Sequence, residues 1–210
     1  SYNDGKSDDK KIKLDIIEAG TNQAEWSTKL TAVAASESYD LIVTSNPSMP
    51  DIAEPITIQF SAQKFLILDA AKSGNKNIAT VRYNQHEQSY LAGYIAGLMT
   101  KSGKLGLIAG QEYPVMNNVI LPGFEEGAKA AHADASVDFR IVGNWYSAAK
   151  GGELADAMWK NKIDVILPIC GGASQGVIAS AVANNFYLVW FDSNGFSRAP
   201  KNVIGSAVTN

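Results

Sequence analysis

Two short apolar runs, bracketing a glycine pair and a helical segment, restrict the fold of this chain more than any other stretch. Residues 164–194 read DVILPICGGASQGVIASAVANNFYLVWFDSN. Val165, Ile166 and Leu167 open it, Cys170, Gly171 and Gly172 follow, and a second run over 186–191 ends on Asp192. Unbroken apolar runs of this length suit strands buried on both faces, joined by the helix of a βαβ unit. Parallel βαβ units put their loops at the carboxyl ends of the strands, where small ligands bind. Gly171, Gly172 and Asp192 are therefore expected on one rim. The glycines admit a close backbone approach, and the carboxylate accepts from hydroxyls. A packing turn followed by a helix-capping aspartate is the competing reading of the same spacing.

The rest of the chain repeats this alternation. After a polar start over 1–11, a strand is expected at Ile12, Leu14, Ile16 and Ile17. Thr21 is placed to cap a helix bearing Trp26, Leu30, Val33 and Ala34. Strands are expected at 41–43, 65–68 and 80–83, with Pro47, Pro50 and Pro55 marking a loop and a helix start near Asp51 or Pro55. The helix expected over 87–98 carries Ala92, Gly93, Ala96 and Gly97, a spacing that lets it lie close to a neighbour. Beyond Gly103 the rhythm restarts: strand 104–108, helix 118–131, strand 137–142, helix 148–162, the bracketed unit, and a last strand at 203–208. This predicts an α/β architecture with parallel sheets in two lobes. The first lobe comprises 1–102 with 203–210 returning to it, and the second 103–202. The first lobe reads as incomplete, because its opening strand follows a polar tail and the closing strand has no covering helix.

Composition removes several function classes. With 46% hydrophobic and 19% charged residues the chain can bury a sizeable core and is not of the disordered class. A formal charge of -3 argues against nucleic acid as the partner. The single cysteine, Cys170, excludes an internal disulfide and a cysteine-only metal site, and the end of an apolar run marks it as a core thiol. His86 and His132 have no chelating partner at close spacing, so no metal site is expected. No stretch reaches the length of a bilayer-spanning helix. No Ser-His-Asp order, paired acid and base carboxylates or phosphate loop stands out, so the expected protein is not an enzyme. Arg82, Arg140 and Arg198 are scattered rather than clustered, which favours a neutral ligand over a nucleotide.

Four pieces in order carry a resemblance. The stretch over 83–94, YNQHEQSYLAGY, is followed by PGFEEGAKA at 122–130, GNWYSAAKG at 143–151 and FDS at 191–193. Together they resemble the basic membrane lipoprotein family, substrate-binding proteins of ABC importers, several of which take up purine nucleosides. The resemblance implies a type I periplasmic-binding-protein fold: two Rossmann-like lobes with the ligand enclosed between them. It also implies an ABC-transporter permease as partner, a place on the periplasmic or extracellular face, and a lipid anchor on a cysteine upstream of residue 1. By the same resemblance Trp145 takes the place of an aromatic that stacks on the ligand ring, and Asp192 that of an acid holding ribose hydroxyls. Gly171 and Gly172 form the loop beside them.

The residues themselves allow the same reading. Trp145 and Tyr146 offer a stacking face worth about 1–3 kcal/mol per ring by analogy with base stacking. A loop aromatic covering the core is their alternative role. Trp190 and Phe191 fall on alternate faces of a strand, and both are expected in the core. Asn46 and Asn84 end strands of the first lobe and are candidate amide contacts; Met116, Asn117 and Asn118 are candidates from the second. The family usually has a glycine and an aromatic where Ser45, Asn46 and Pro47 stand, and a lysine where Thr209 stands. Since it also includes spirochaete riboflavin-binding lipoproteins, riboflavin and purine nucleoside both remain candidates, each as transported ligand and not as cofactor. A ligand-sensing regulatory domain of the same fold and a nucleoside-processing enzyme are the competing functions.

Overall fold

The computed structural model describes residues 2–209; Ser1 and Asn210, the outer limits of the expected lobes, lie outside the described residues. The first sheet contains β1 (Leu41–Ser45), β2 (Lys64–Leu68) and β3 (Ile78–Val81), parallel and in that order. Two helices accompany it, α1 (Trp26–Ala35) and α2 (Met49–Gln59). Asn22 rather than Thr21 starts the helical path, its side chain accepting from the Ala24 amide ahead of α1. In α2, Pro50 lies in the first turn, where a missing N–H costs nothing.

The second sheet holds five parallel strands in the order β5-β4-β6-β7-β8. The strands are β4 (Lys104–Ala109), β5 (Ser136–Ile141), β6 (Val165–Ile169), β7 (Tyr187–Asp192) and β8 (Val203–Val208). Its helices are α3 (Gln85–Met99), α4 (Leu121–Ala131), α5 (Ala148–Lys160) and α6 (Ser174–Asn184). All five residues of β6 are buried, as a strand covered on both faces must be. Val165 and Leu167 enter the core beneath α3 and α4, while Ile166 enters the one beneath α5 and α6. Phe191 and Trp190 divide in the same way, each in the core of its own face.

Three expectations are corrected. Residues 203–208 do not return to the first lobe: β8 pairs with β7 from Leu188–Val203 to Asp192–Val208, and Val203 and Ala207 are buried in the second unit. The helix assigned to the first lobe, α3, packs instead on α4, β7 and β8, so the division falls before α3 rather than near residue 102. Residues 12–17 form no strand; Ile12, Leu14, Ile16 and Ile17 are exposed, and β1 beside them is an edge with Leu41 and Val43 exposed. An alternating apolar pattern makes a strand only where a neighbour completes the hydrogen bonds.

Small residues set how α3 meets α4. A Cβ added at Gly93 would be driven into the Phe124 carbonyl, and one at Gly127 into the Tyr90 carbonyl, so the two backbones touch. This contact carries the start of α3 to a fixed height above β7 and β8. The Gly127→Ala variant is expected to be destabilised by about 1–3 kcal/mol, the usual cost of overpacking. Urea unfolding followed by circular dichroism measures it; a midpoint equal to that of the parent protein would show that the helix contact tolerates the methyl group.

Candidate ligand cleft

The carboxyl ends of β2, β6 and β7 and the loops after β4 and β5 converge on a cleft of about 390 Å³. That volume lies within the range of small-molecule sites, roughly 300–1,000 Å³. One wall is aromatic. The loop after β5 turns at Gly143, and the Asn144 carboxamide oxygen accepts from the amides of Tyr146 and Ser147 at 2.9 and 2.7 Å. Ser147 then caps α5 through the Lys150 amide. Trp145 is thus held on a rigid loop, its ring lying against Gly110, where a Cβ would sit 2.5 Å from Cε3. Its indole N–H donates to Gln111 Oε1 at 3.0 Å, and the Tyr113 ring lies 6.1 Å from its own. Gly171 has a left-handed φ of 57°, and its Cα faces the Trp145 carbonyl closely enough that a Cβ would sit 3.0 Å away. Glycine satisfies both demands at once.

The opposite pole is acidic. Asp69 follows β2, Asp192 ends β7, and both have left-handed backbones, with φ of 54° and 65°. Such conformations cost of order 1–3 kcal/mol in a residue with a side chain and concentrate where a group must be aimed. Both carboxylates are held by the first turns of α3. Gln85 Nε2 donates to Asp69 Oδ1 at 2.8 Å, and Gln88 Nε2 donates to Asp192 Oδ1 at 3.0 Å and to the Ala207 carbonyl at 2.8 Å. Burial, then the charge of Asp192, raises the Asp69 carboxyl to about 6, with the Gln85 bond acting in the other direction. Burial likewise raises Asp192, which the Gln88 bond partly offsets; its open surface faces the cleft. Burial, followed by both carboxylates, raises the Tyr113 phenol, keeping it a neutral hydroxyl.

The lining of the cleft brings together Trp145, Gly171, Gly172 and Asp192. The other candidates, Asn46, Asn84, Tyr146, Met116, Asn117 and Asn118, are not part of the cleft lining. The Asn46 side chain is spent on its own turn, accepting from the Ser48 amide at 2.9 Å. Asn84 donates to Glu87 Oε2 at 2.8 Å and borders a separate depression with Val208 and Thr209. Tyr146 points away, edge-on to Trp26 at 6.4 Å. Asn118 is exposed on a π-helical turn, Met116–Ile120, in which Met116 is fully buried. Strand-end amides satisfy local turns as readily as ligands, and that local role prevails here. Cys170 is a core thiol, fully buried, 3.2 Å from Ser174 Oγ and pushed up to about 11 by burial. Trp190 and Phe191, although buried, both reach the cleft wall. Asp69, which ends the apolar run FLILD, also lines the cleft, as do Gln85, Tyr113 and Arg198, whose local sequence does not mark them for it, and Gln88 orients Asp192 from behind.

The chain matches the profile of a family described as Bmp, ABC transporter substrate-binding protein PnrA-like, over residues 5–210. It is 31% identical over 160 residues to the CD4+ T-cell-stimulating antigen of Listeria monocytogenes, covering 76% of this chain and 44% of that protein. It is also 31% identical over 152 residues to the ABC transporter nucleoside-binding protein BmpA of Lactococcus lactis, covering 72% and 43%. The chain thus spans less than half the length of these two relatives. A solved ABC transporter solute-binding protein from Aeropyrum pernix K1 superposes with a TM-score of 0.75 at 21% identity, over 86% of this chain and 53% of that one. The architecture is accordingly the α/β fold of type I periplasmic binding proteins.

The raised pKa of Asp69 gives its contribution to stability a definite sign. The folded state, with a value about 6, holds the proton that the unfolded chain releases near 3.8. Between those values the native state binds more protons, so this group's favourable contribution is full below about pH 4 and is lost as pH rises through 6. The stability of the parent relative to Asp69→Asn is expected to fall between about pH 4 and pH 7 when both are unfolded in urea. Parallel pH profiles for the two proteins would show that Asp69 titrates normally.

Proposed function

This chain belongs to the Bmp family of PnrA-like ABC transporter substrate-binding proteins, and from that premise we propose that its cleft captures a neutral nutrient made of a ring and a polyol. A purine nucleoside is the leading ligand and riboflavin the second. The observation that carries the reading is the convergence of Trp145 and Asp192, from loops after different strands, on one cleft of about 390 Å³. The name of the Lactococcus lactis relative, a nucleoside-binding protein, supports the order of the two ligands.

In this reading the ligand ring stacks on the indole of Trp145, whose other face is backed by Gly110. The polyol donates to Asp69 and Asp192, whose carboxylates are acceptors already oriented by Gln85 and Gln88. Two carboxylates in one cleft oppose a phosphate, so the unphosphorylated ligand is favoured. The cleft is suited to capture rather than turnover, since Cys170 is buried with its thiol protonated and the carboxylates face a ligand site without a histidine. Among the described residues no helix is long and apolar enough to cross a membrane. A lipid anchor, a place outside the cytoplasmic membrane and delivery to an ABC permease complete the proposal.

Titration calorimetry with inosine, adenosine, hypoxanthine and riboflavin tests it. Binding of a nucleoside or of riboflavin is expected, and Trp145→Ala is expected to weaken it by roughly 5–150-fold, the equivalent of about 1–3 kcal/mol of stacking. Asp192→Asn is expected to weaken inosine while leaving the sugar-free base hypoxanthine unchanged. Absence of heat from all four ligands would overturn the proposed function.

A further inference from the structure

The polar groups of the cleft are sorted by kind. Its acceptors, Asp69 and Asp192, are gathered by α3, while one guanidinium, that of Arg198, stands on the lining at the Trp190 side. Arg198 closes a short turn, Phe196–Arg198, between β7 and β8. That turn is built to fold over the indole of Trp190. Gly195 lies so close to the ring that a Cβ would enter it; the Gly195 amide donates to Ser206 Oγ at 3.0 Å and the Arg198 amide to the Gly195 carbonyl at 3.0 Å. Trp190 is itself fixed, buried and donating from Nε1 to Ser193 Oγ at 3.3 Å. The guanidinium carbon sits 5.1 Å from the ring centroid, a cation–π distance that holds the planar fork at the rim.

Among the described residues nothing accepts from this fork. Arg198 forms no ion pair within 4.0 Å, although Asp192 is only six positions away in the chain. Among the described residues its side chain also donates no hydrogen bond, while its backbone amide donates to the Gly195 carbonyl. Arg82, the other arginine nearby, borders a small side cavity behind Asp69 rather than the cleft itself. An oriented, stacked and unpaired set of N–H donors, facing the space that a ring would fill, is complementary to an acceptor edge on that ring.

We propose that Arg198 determines specificity by donating to a carbonyl on the ring of the bound molecule, so that oxo-substituted rings are selected over amino-substituted ones. The inference rests on the ring-plus-polyol reading of the same cleft. Hypoxanthine and guanine rings present a carbonyl, as does the dione edge of a flavin. Adenine presents an amino group at the corresponding position, which sets donor against donor and leaves the fork unsatisfied. A site that loses a hydrogen-bond partner in this way discriminates more strongly than one that merely loses a contact. Selection therefore comes from a repulsive pairing as much as an attractive one.

Inosine and adenosine share a ribose and differ at the ring position in question, so their affinity ratio isolates the effect. The parent protein is expected to bind inosine about tenfold or more tighter than adenosine. Arg198→Met keeps an unbranched chain over Trp190 and removes the donors; it is expected to bring the ratio close to one by weakening inosine, with adenosine changed less than about twofold. Arg198→Lys is expected to recover part of the preference as a single point donor. Arg198 is exposed, and an unchanged melting temperature confirms that each variant is folded. Should riboflavin be the one ligand that binds, Arg198→Met is expected to weaken it by the same factor. A ratio that survives Arg198→Met, a parent that prefers adenosine, or an unaltered riboflavin affinity would overturn the role of Arg198 alone. Inosine 5′-monophosphate binding tighter than inosine would assign the guanidinium to an anion and overturn it as well. No binding by any of these ligands to the parent would remove both this inference and the reading of the cleft.

Discussion

Two glutamines one helical turn apart hold the structure's chemistry in place. Gln85 and Gln88 are buried at the start of α3, and each donates to one aspartate, Asp69 after the first sheet and Asp192 at the end of the second. Residues three apart on a helix share a face, so a single rigid element sets two carboxylates from different sheets against one cleft. The second bond of Gln88, to the Ala207 carbonyl, ties the same turn to β8. This explains why α3 belongs with β7 and β8 although the chain reaches it straight from the first sheet. Its backbone contact with α4 fixes its height, and its amides convert that height into the position of the acids.

The acids are held at a cost. Both backbones are left-handed, both carboxyls are raised by burial, and at Asp69 the charge of Asp192 adds to the rise. Like charges brought together without a cation destabilise a folded protein, and no ion pair to Asp69 or Asp192 is formed among the described residues. Nothing in the packing demands this arrangement: an asparagine in either place would accept from the same glutamines without the repulsion. Strain combined with uncompensated charge at the mouth of a cleft supports the proposed capture of hydroxyl donors.

The fold class was legible because strands buried on both faces leave unbroken apolar runs, as at β6 and β7, and because glycine-rich helices announce a close neighbour. Gly171, Gly172 and Asp192 stand out in the sequence because they close such runs, whereas Trp145 stands out only through the loop GNWYSAAKG that carries the family resemblance. Asp69 carries the same mark, an apolar run ending on an acid, and becomes distinctive only when the fold brings it toward Asp192. Gln85 and Gln88 lie within the stretch that carries the family resemblance, yet a glutamine in a helix is ordinary until its partner is known. The sheet to which 203–208 belongs was not legible, since the run VIGSAV pairs equally well with any open edge of the right length. Asn46 and Asn84 show the converse limit: an amide at a strand end closes its own turn with the geometry it would use for a ligand.

The aromatic pole is coupled to both sheets as firmly as the acidic one. Gln111 Oε1 accepts from Trp145 Nε1 at 3.0 Å, from Ser48 Oγ at 3.3 Å and from Gln23 Nε2 at 3.4 Å. The donors come from three segments, two of them on the first sheet's side of the cleft, and Trp145 also packs against the apolar core of that side. One carbonyl oxygen has two lone pairs, so three donors share it, and the two longer bonds are the weaker ones. The shortest is to the indole. If the two sheets part, the bonds from Ser48 and Gln23 are the first to lengthen, while Trp145 stays with Gln111 and Gly110 on the second sheet. The aromatic wall is therefore held from one side of the cleft and completed from the other, and the acids follow the same plan, with Asp192 on the sheet of Trp145 and Asp69 brought to it.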